Sequence, residues 1–216
     1  MAAYVQSASN ATTGGSTTIA KAYTSNVTVG NLLLAYVYWN SNTQTCTVTG
    51  GSNTWSAVGS PLTGSGGLAG YRSQLFYAPT AAAGATTVTA TFSASNTDRG
   101  LSIHEASGVS LLDVSGYSNF TGVDPGLSSS LSASDAGARY WFAGAVVAGT
   151  ATGSMAGGFT RREWANFAGN VTGDEVASTT SAQQAQFGLS GASQAVMTVL
   201  AAFGPSTVTT EFFTWF

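Results

Sequence analysis

The stretch Leu32-Leu-Leu-Ala-Tyr-Val-Tyr-Trp39 carries eight apolar or aromatic residues in a row and no charged side chain. A second stretch of this kind, Tyr140-Trp-Phe-Ala-Gly-Ala-Val-Val-Ala148, lies in the second half of the chain. Neither stretch alternates between apolar and polar residues, and both have the length of a strand. An uninterrupted apolar run of this length is typical of a strand that is covered on both faces. The two stretches therefore predict two central, buried strands.

Shorter runs rich in Val, Thr and aromatic residues recur around these two stretches, bounded by Gly, Asn, Ser and Pro. Helix signals are weak, since Ala81–Gly84 is too short and Ser181–Phe187 has room for one turn at most. Strands at such spacing without helices predict an all-β fold, a single antiparallel two-sheet sandwich of jelly-roll type. The remaining predicted strands are Ala3–Ser9, Thr17–Tyr23, Thr43–Thr49, Thr54–Val58, Tyr71–Ala78, Thr86–Phe92, Leu101–Glu105, Leu111–Ser115, Leu127–Leu131, Glu163–Phe167, Glu175–Thr179, Ala195–Phe203 and Thr207–Trp215.

A weak internal pseudo-repeat appears at an offset of about 107 residues. Val29–Trp39 aligns with Ala136–Val146, and a Gly-Gly pair followed by a Trp recurs at Gly50–Trp55 and Gly157–Trp164. Each half is too poor in apolar residues to build a core of its own, so the halves are expected to share one core. We therefore predict one domain over residues 1–204 and an aromatic C-terminal segment over residues 205–216.

The composition excludes several classes of partner. Charged residues make up 7% of the 216 residues, against roughly 25% in an ordinary soluble protein, whereas Ser and Thr together supply 58 positions. A nucleic-acid site needs clustered Lys and Arg, and the chain has six basic residues and a net charge of -3. No apolar run reaches 18 residues, so membrane insertion through a helix is not expected. The single cysteine, Cys46, forms no intrachain disulfide and is predicted to be a buried thiol.

Five short motifs, all turns or strand starts, follow one another between residues 4 and 203. Their order resembles that of jelly-roll or lectin-like β-sandwich proteins of phage virions and bacterial surface structures. The resemblance implies a sandwich fold and carries over no catalytic residue. The motifs are Val27-Thr-Val-Gly-Asn-Leu-Leu-Leu34, Gly51-Ser-Asn-Thr-Trp55, Leu75-Phe-Tyr-Ala78 before Gly84-Ala-Thr-Thr-Val-Thr-Ala-Thr-Phe92, Ile103-His-Glu-Ala-Ser-Gly108 and Gly158-Phe-Thr-Arg161.

His104 is the only histidine and adjoins Glu105. Because His104 alternates with Leu101 and Ile103, we expect it on the solvent face of a strand. Glu105 falls on the apolar side and is predicted to be a partly buried acid, paired with an Arg or placed at a strand end. A Ser–His–acid triad has no support from a Gly-x-Ser-x-Gly motif, so we predict that the protein is not an enzyme.

Two groups of residues could instead bind ions or sugars. Asp174 and Glu175 are weak candidates for a calcium site, because hard cations need many oxygen ligands and no Asp-x-Asp-x-Asp loop is present. No other cofactor is indicated. The charge cluster at Arg161 and Arg162, followed by Trp164, predicts either a protected hairpin edge or a contact to a partner. Trp55, Tyr71 and Trp164 could stack on sugar rings if they are exposed, and otherwise belong to the core.

The C-terminal segment is strongly aromatic and holds one charge, Glu211. Pro205 is expected to turn the chain away from the preceding strand. Such a terminus needs cover, either from its own sandwich or from a neighbouring subunit. We name it as a candidate assembly contact through Phe212, Phe213, Trp215 and Phe216.

Two functions agree with these features. The first is a structural or assembly protein, that is, a virion decoration or tail component or a subunit of an extracellular filament, with itself or other structural subunits as partners. The alternative is a carbohydrate-binding, lectin-like adhesin module that contacts a cell-surface glycan. The N-terminal residues show no secretory signal in the chain as given, and a virion or extracellular assembly is the expected location.

Overall fold

A computed structural model of the protein describes residues 1–84, 86–149, 151–165, 170–190 and 193–205. These residues form fourteen strands and one short 3₁₀ turn at Gly66–Leu68, with no α-helix among them. The described residues hold no helix with the length and apolarity that a membrane crossing requires. The strands are β1 (Ala3–Ala22), β2 (Leu32–Trp39), β3 (Cys46–Gly50), β4 (Ser56–Thr63), β5 (Arg72–Ala78), β6 (Thr87–Ser107), β7 (Leu111–Gly122), β8 (Gly126–Leu127), β9 (Arg139–Val147), β10 (Ala151–Ala156), β11 (Thr160–Ala165), β12 (Asn170–Ala177), β13 (Gln186–Leu189) and β14 (Gln194–Gly204).

The strands are arranged in three antiparallel sheets. The first sheet has the order β1-β6-β2-β5-β4, and β3 pairs with the first part of β6. The second has the order β7-β14-β9-β12-β11, and a small third sheet has the order β10-β13-β8. The prediction of an all-β, antiparallel fold is confirmed.

The two apolar stretches that predict central strands become β2 and β9, and every residue of both strands is buried. This prediction is confirmed as well. Each strand lies in the middle of its sheet, because β2 pairs with β6 and β5 and β9 pairs with β12 and β14.

Alternate residues of β2 and β9 enter different apolar clusters. Tyr36 of β2 and Phe142 of β9 belong to a cluster shared by the two large sheets, and their ring centroids are 6.2 Å apart. The outward residues of β2 pack under β3 and the distal parts of β1 and β6, whereas those of β9, such as Trp141, pack under the third sheet. Three apolar layers therefore cover both faces of both strands.

Close packing in the shared cluster also needs a glycine. A Cβ atom at Gly100 of β6 would lie 2.1 Å from Cε1 of Tyr38, which no side chain can tolerate. The bare backbone of Gly100 thus leaves room for the Tyr38 ring on the neighbouring strand β2.

Several predicted boundaries are wrong in an informative way. Ala3–Ser9 and Thr17–Tyr23 form the single strand β1, and Thr86–Phe92 and Leu101–Glu105 form the single strand β6. In each case the sequence predicts two strands, because Gly and polar residues separate the two runs. In the structure β1 and β6 stay paired across these separating segments through irregular pairing.

Two strands, β10 and β13, were missed. The stretch Ser181–Phe187, which has room for one helical turn at most, instead runs into strand β13 at Gln186–Leu189. Strand β10 consists mostly of small residues and β13 has only four residues, so neither gives a run long and regular enough to predict a strand. The predicted strand Thr207–Trp215 lies outside the described residues.

Replacing Leu34 or Phe142 with Asp should destabilise the protein by at least about 3 kcal/mol and abolish soluble expression, because either change buries an unpaired charge. Both side chains are fully buried. Urea unfolding and soluble yield are the measurements, and Thr91→Asp, at an exposed position of β6, is the control. Soluble, cooperatively unfolding Leu34→Asp protein would contradict the burial on both faces.

Candidate functional site

A cleft of about 520 Å³ opens between the start of β1 and the hairpin of β11 and β12. Strand β1 is an edge strand of the first sheet, and β11 is an edge strand of the second. The cleft therefore lies where the rims of the two large sheets approach each other. Its polar and aromatic lining comes from Tyr4, Thr160, Arg162, Asp174 and Glu175.

Arg162 and Asp174 form the charged centre of this cleft. The guanidinium donates through Nε to Oδ1 and through Nη2 to Oδ2 of Asp174, the second at 3.2 Å, and its carbon lies 3.8 Å from the centroid of the Tyr4 ring. Burial raises the pKa of Asp174, while the guanidinium acts in the opposite direction. The hydrogen bond to Asp174 raises the pKa of Arg162. Asp174 is only 2% exposed, and its buried carboxylate is stabilised by the two hydrogen bonds from Arg162.

Glu163 joins the two edge strands. Its carboxylate oxygens accept hydrogen bonds from Ser7 Oγ at 2.6 Å and from Ser9 Oγ at 2.8 Å, both on β1. The pairing of β11 with β12 shifts register between Arg161 and Glu163, which leaves Arg162 as the extra residue of a bulge. The charge cluster therefore does lie on a hairpin edge, and two of its three side chains connect β11 to neighbouring strands.

Glu175 contributes an acceptor without a partner. Its Oε2 atom is buried and has no hydrogen bond among the described residues, and burial raises the pKa of this carboxyl. A Cβ atom at Gly158 would lie 2.6 Å from Glu175 Oε1, and the backbone of Gly158 has φ +91°. Gly158 is therefore needed both for the turn and for the space that the carboxylate occupies.

Asp174 and Glu175, the calcium candidates, do not form the cluster of free oxygen ligands that a metal site needs. Asp174 is engaged by Arg162, so its oxygens already accept charge-assisted hydrogen bonds. Within the described ranges, no group of three His, Cys, Asp or Glu residues lies close enough to hold a metal ion. Calcium binding by Asp174 and Glu175 stays a prediction that these contacts do not favour.

The expectation that His104 lies on the surface is wrong. Its side chain is fully buried, Nε2 lies 2.8 Å from Thr172 Oγ1, and the ring packs edge-on against Phe142. The alternation with Leu101 and Ile103 was right, but the face opposite to them is the interior between the two large sheets. Burial, and then the charge of Arg162, lower the pKa of His104 to about 3, so the ring is neutral.

Glu105 is fully buried, and its partners are not the predicted Arg. The carboxylate accepts hydrogen bonds from Gln6 Nε2 at 2.6 Å, Thr28 N at 2.8 Å and Asn31 Nδ2 at 2.7 Å. These three donors take the place of a positively charged partner for the Glu105 carboxylate. The resulting hydrogen-bond network connects β1, β6 and the loop before β2.

His104 and Thr172 have the spacing of a base and a hydroxyl nucleophile, yet the other elements of a triad do not accompany them. Nδ1 of His104 has no hydrogen-bond partner among the described residues, and Glu105, the next residue on the strand, is engaged elsewhere. Both His104 and Thr172 are fully buried, so no substrate reaches them without opening the fold.

The five candidate glycan or partner contacts lie in different places. Arg161 stacks on the Trp164 ring at 5.6 Å, and Trp164 is 39% exposed, whereas Arg162 points into the cleft. Trp55 is half-buried against the outer cluster of the first sheet. Tyr71 donates to Asp98 Oδ2 at 2.6 Å, in a separate small cavity, and burial raises its pKa to about 12. The structure therefore brings only the β11 residues together.

Two other expectations concern single positions. Cys46 is buried and free, as predicted, and burial raises the pKa of its thiol to about 12. Phe212, Phe213, Trp215 and Phe216 lie outside the described residues.

Sequence reasoning missed Tyr4, Thr160 and Thr172, since an isolated Tyr or Thr in a Thr-rich chain has no distinguishing signal. Gly158 was the one usable hint, because it belongs to the Gly-Gly pair singled out by the pseudo-repeat.

The buried, neutral His104 should make stability fall as the pH drops below about 6.5, the ordinary pKa that His104 regains on unfolding. Below that pH the unfolded chain binds a proton at His104, whereas the folded chain does not bind it until about pH 3. The free energy of unfolding therefore falls by about 1.4 kcal/mol for each pH unit in this range. Urea unfolding of wild type and His104→Gln between pH 7.5 and 5 measures it. The difference between the two proteins should shrink by about 2 kcal/mol over that range, and parallel pH profiles would contradict it.

No protein-family model, curated protein or solved structure matches the chain. Its function therefore has to be inferred from its own residues and geometry.

Proposed function

We propose that this chain is a non-enzymatic structural subunit that associates with copies of itself or with other structural subunits, in a virion (as a decoration or tail component) or in an extracellular filament. The observation that carries the proposal is the nearly uncharged surface. Among the charged side chains that the structure describes, only Asp124, Asp135 and Arg161 are exposed. The others are buried or half-buried.

Two buried arginines stabilise the interior instead of solvating the surface. Arg139 pairs with Asp113 and Asp135, each at 2.9 Å. Arg99 donates to three backbone carbonyls, those of Gly14, Asn96 and Thr18.

Hydroxyls and backbone groups on one surface can form hydrogen bonds with those on a similar surface, so covering them requires no ion pairs across the contact. Charged side chains would instead have to be desolvated or paired across each new contact. The composition of the exposed surface thus suits repeated, close-packed contacts between subunits.

The proposed unit of assembly is a two-sheet sandwich with an internal repeat. The shared cluster around Tyr36 and Phe142 supports the sandwich. The repeat is supported by strand order, because β1-β6-β2-β5-β4 and β7-β14-β9-β12-β11 follow the same sequence of positions in the two halves. Each half keeps its five long strands in one sheet, which favours a duplicated sheet. The jelly-roll connectivity stays a prediction.

Within this proposal, residues 1–204 are the domain and residues 205–216 are an assembly segment. The ladder of β14 ends at Gly204, which pairs with Leu111, so the proposed boundary follows the last paired residue of the described ranges.

Size-exclusion chromatography with light scattering, followed by negative-stain microscopy, tests the assembly of the full chain. We expect particles well above the 21.7 kDa monomer, and we expect them to persist from 50 mM to about 1 M NaCl because exposed ion pairs contribute little. Arg161→Gln is the matched control and should assemble like wild type. A monomer at every concentration would refute the proposal, and dissociation by salt would refute its physical basis.

The cleft at the rim of the sheets favours the alternative of glycan binding. It combines the Thr160 hydroxyl with the Glu175 carboxylate, beside the Tyr4 ring that Arg162 partly covers. The unpartnered Oε2 of Glu175 is buried, so a ligand with hydroxyl donors has to enter the cleft to reach it. In this case a glycan array should show binding that Glu175→Gln weakens at least about tenfold, as the loss of one charge-assisted hydrogen bond predicts. Thr47→Ala, at an exposed position of β3 outside the cleft, is the control and should bind normally. Absence of binding by wild type would exclude this function.

A further inference from the structure

The edge strands of the two large sheets are not equally protected against pairing with another chain. Unpaired backbone N–H and C=O groups at a sheet edge attract further strands unless charges, prolines or bulges interfere. Strand β4 has Pro61 and a register shift between Val58 and Leu62. Strand β11 has the Arg161–Glu163 charges and a bulge. Strand β1 has three register shifts and side-chain bonds to Glu163.

Over most of its length strand β7 has no charge, proline or bulge, although Tyr117 and Asn119 bond through their side chains to β4. From Val114 to Gly122 its pairing with β14 runs without a register shift, and these nine residues include no proline and no charge. Within the described residues β7 pairs with β14 alone. The exposed side chains along this edge include Asn119 and Thr121. This edge is therefore long, regular and open.

The C-terminal segment has the sequence that such an edge accepts. Its predicted strand, Thr207–Trp215, has nine residues, the same length as the regular part of β7. β-branched and aromatic residues dominate it, and Glu211 is its only charge. Main-chain hydrogen bonds along the edge would supply affinity, and the rings would fill adjacent apolar surface.

The position where the chain leaves the sheet decides which copy can receive this strand in antiparallel pairing. Gly204 pairs with Leu111 at the beginning of β7, whereas an antiparallel partner of β7 has to begin near Gly122, at the other end. The two ends are roughly 35 Å apart at the rise of an antiparallel strand. Thr207 follows Gly204 by only three residues, at most about 11 Å of chain, so this strand cannot begin at that end of β7 in its own copy. A second copy has no such restriction.

We propose that the C-terminal segment of one copy pairs antiparallel with the Val114–Gly122 edge of β7 in a second copy. The inference rests on the proposed self-association and names the surfaces that mediate it. Donor and acceptor are different surfaces, so repeated exchange produces filaments or rings, and reciprocal exchange between two copies produces a dimer.

Two variants of the full chain separate donor from acceptor. Truncation after Pro205 removes the donor strand and leaves β7 intact. Asn119→Lys/Thr121→Lys places two charges along the β7 edge and leaves the donor intact, and a lysine at 119 retains a donor for the Thr63 carbonyl that Asn119 now contacts at 3.0 Å. Thr47→Lys/Thr49→Lys, two exposed positions with the same spacing on β3, is the matched control.

Light scattering and sedimentation velocity should show each donor or acceptor variant as a folded monomer, while the β3 control assembles like wild type. An equimolar mixture of the two monomeric variants should form a two-chain complex and nothing longer, because only one donor and one acceptor remain. Chemical denaturation of the truncated protein shows whether its domain is folded.

Three results would overturn the inference. Unfolding of the truncated chain would mean that the segment belongs to its own domain. Failure of the two variants to complement each other would mean that they do not form a donor–acceptor pair. Assembly of both variants at wild-type size would place the contact on another surface, and in that case the proposed structural function would survive while this inference would not. Monomeric wild type would refute both.

Discussion

Burial of β2 and β9 on both faces is the constraint on which the rest of the structure depends. Each strand is apolar along its whole length, so each sheet needs an apolar layer on either side. The two large sheets supply the inner layer for each other. The outer layers come from β3 with the distal parts of β1 and β6, and from the small sheet of β8, β10 and β13. The long, irregular strands β1 and β6 follow from this need, since the same strands form a sheet and then contribute to its cover.

The charged side chains buried in this interior have partners that replace water, whereas some neutral groups, such as Nε1 of Trp141, have none among the described residues. Glu105 receives three donors, and Arg99 is held by three carbonyls without a carboxylate. The Arg162–Asp174 pair closes the rim beside Tyr4. Because so few charges are available and most are used in this way, the surface is left to hydroxyls, small side chains and backbone. Since the few charged side chains lie mostly in the interior, the outer surface carries little charge and is suited to contact with similar surfaces.

The sheet rims divide into two kinds. At the rim formed by β1 and β11, side-chain bonds join the two sheets, and bulges interrupt both edges. At the rim formed by β4 and β7, Tyr117 donates to the Val58 carbonyl and Asn119 to the Thr63 carbonyl, yet the β7 backbone edge stays regular. The first rim contains the cleft suited to a small polar ligand, and the second contains the edge suited to another strand.

The sequence alone determined the fold class and the two central strands, because a continuous apolar run of strand length has few other stable arrangements. It also predicted that Cys46 is a buried thiol, whereas it left the Arg161–Glu163 cluster open between a hairpin edge and a contact to a partner. Only the tertiary structure decided the surroundings of His104 and Glu105, since alternation assigns a side chain to a face but does not show whether water or a second sheet lies against that face. The cleft likewise joins Tyr4 to residues about 160 positions away in the sequence. Strands β10 and β13 pair above an apolar layer that other segments of the chain supply. Local sequence contains no record of contacts between such distant segments, because those contacts form only when the sheets pack.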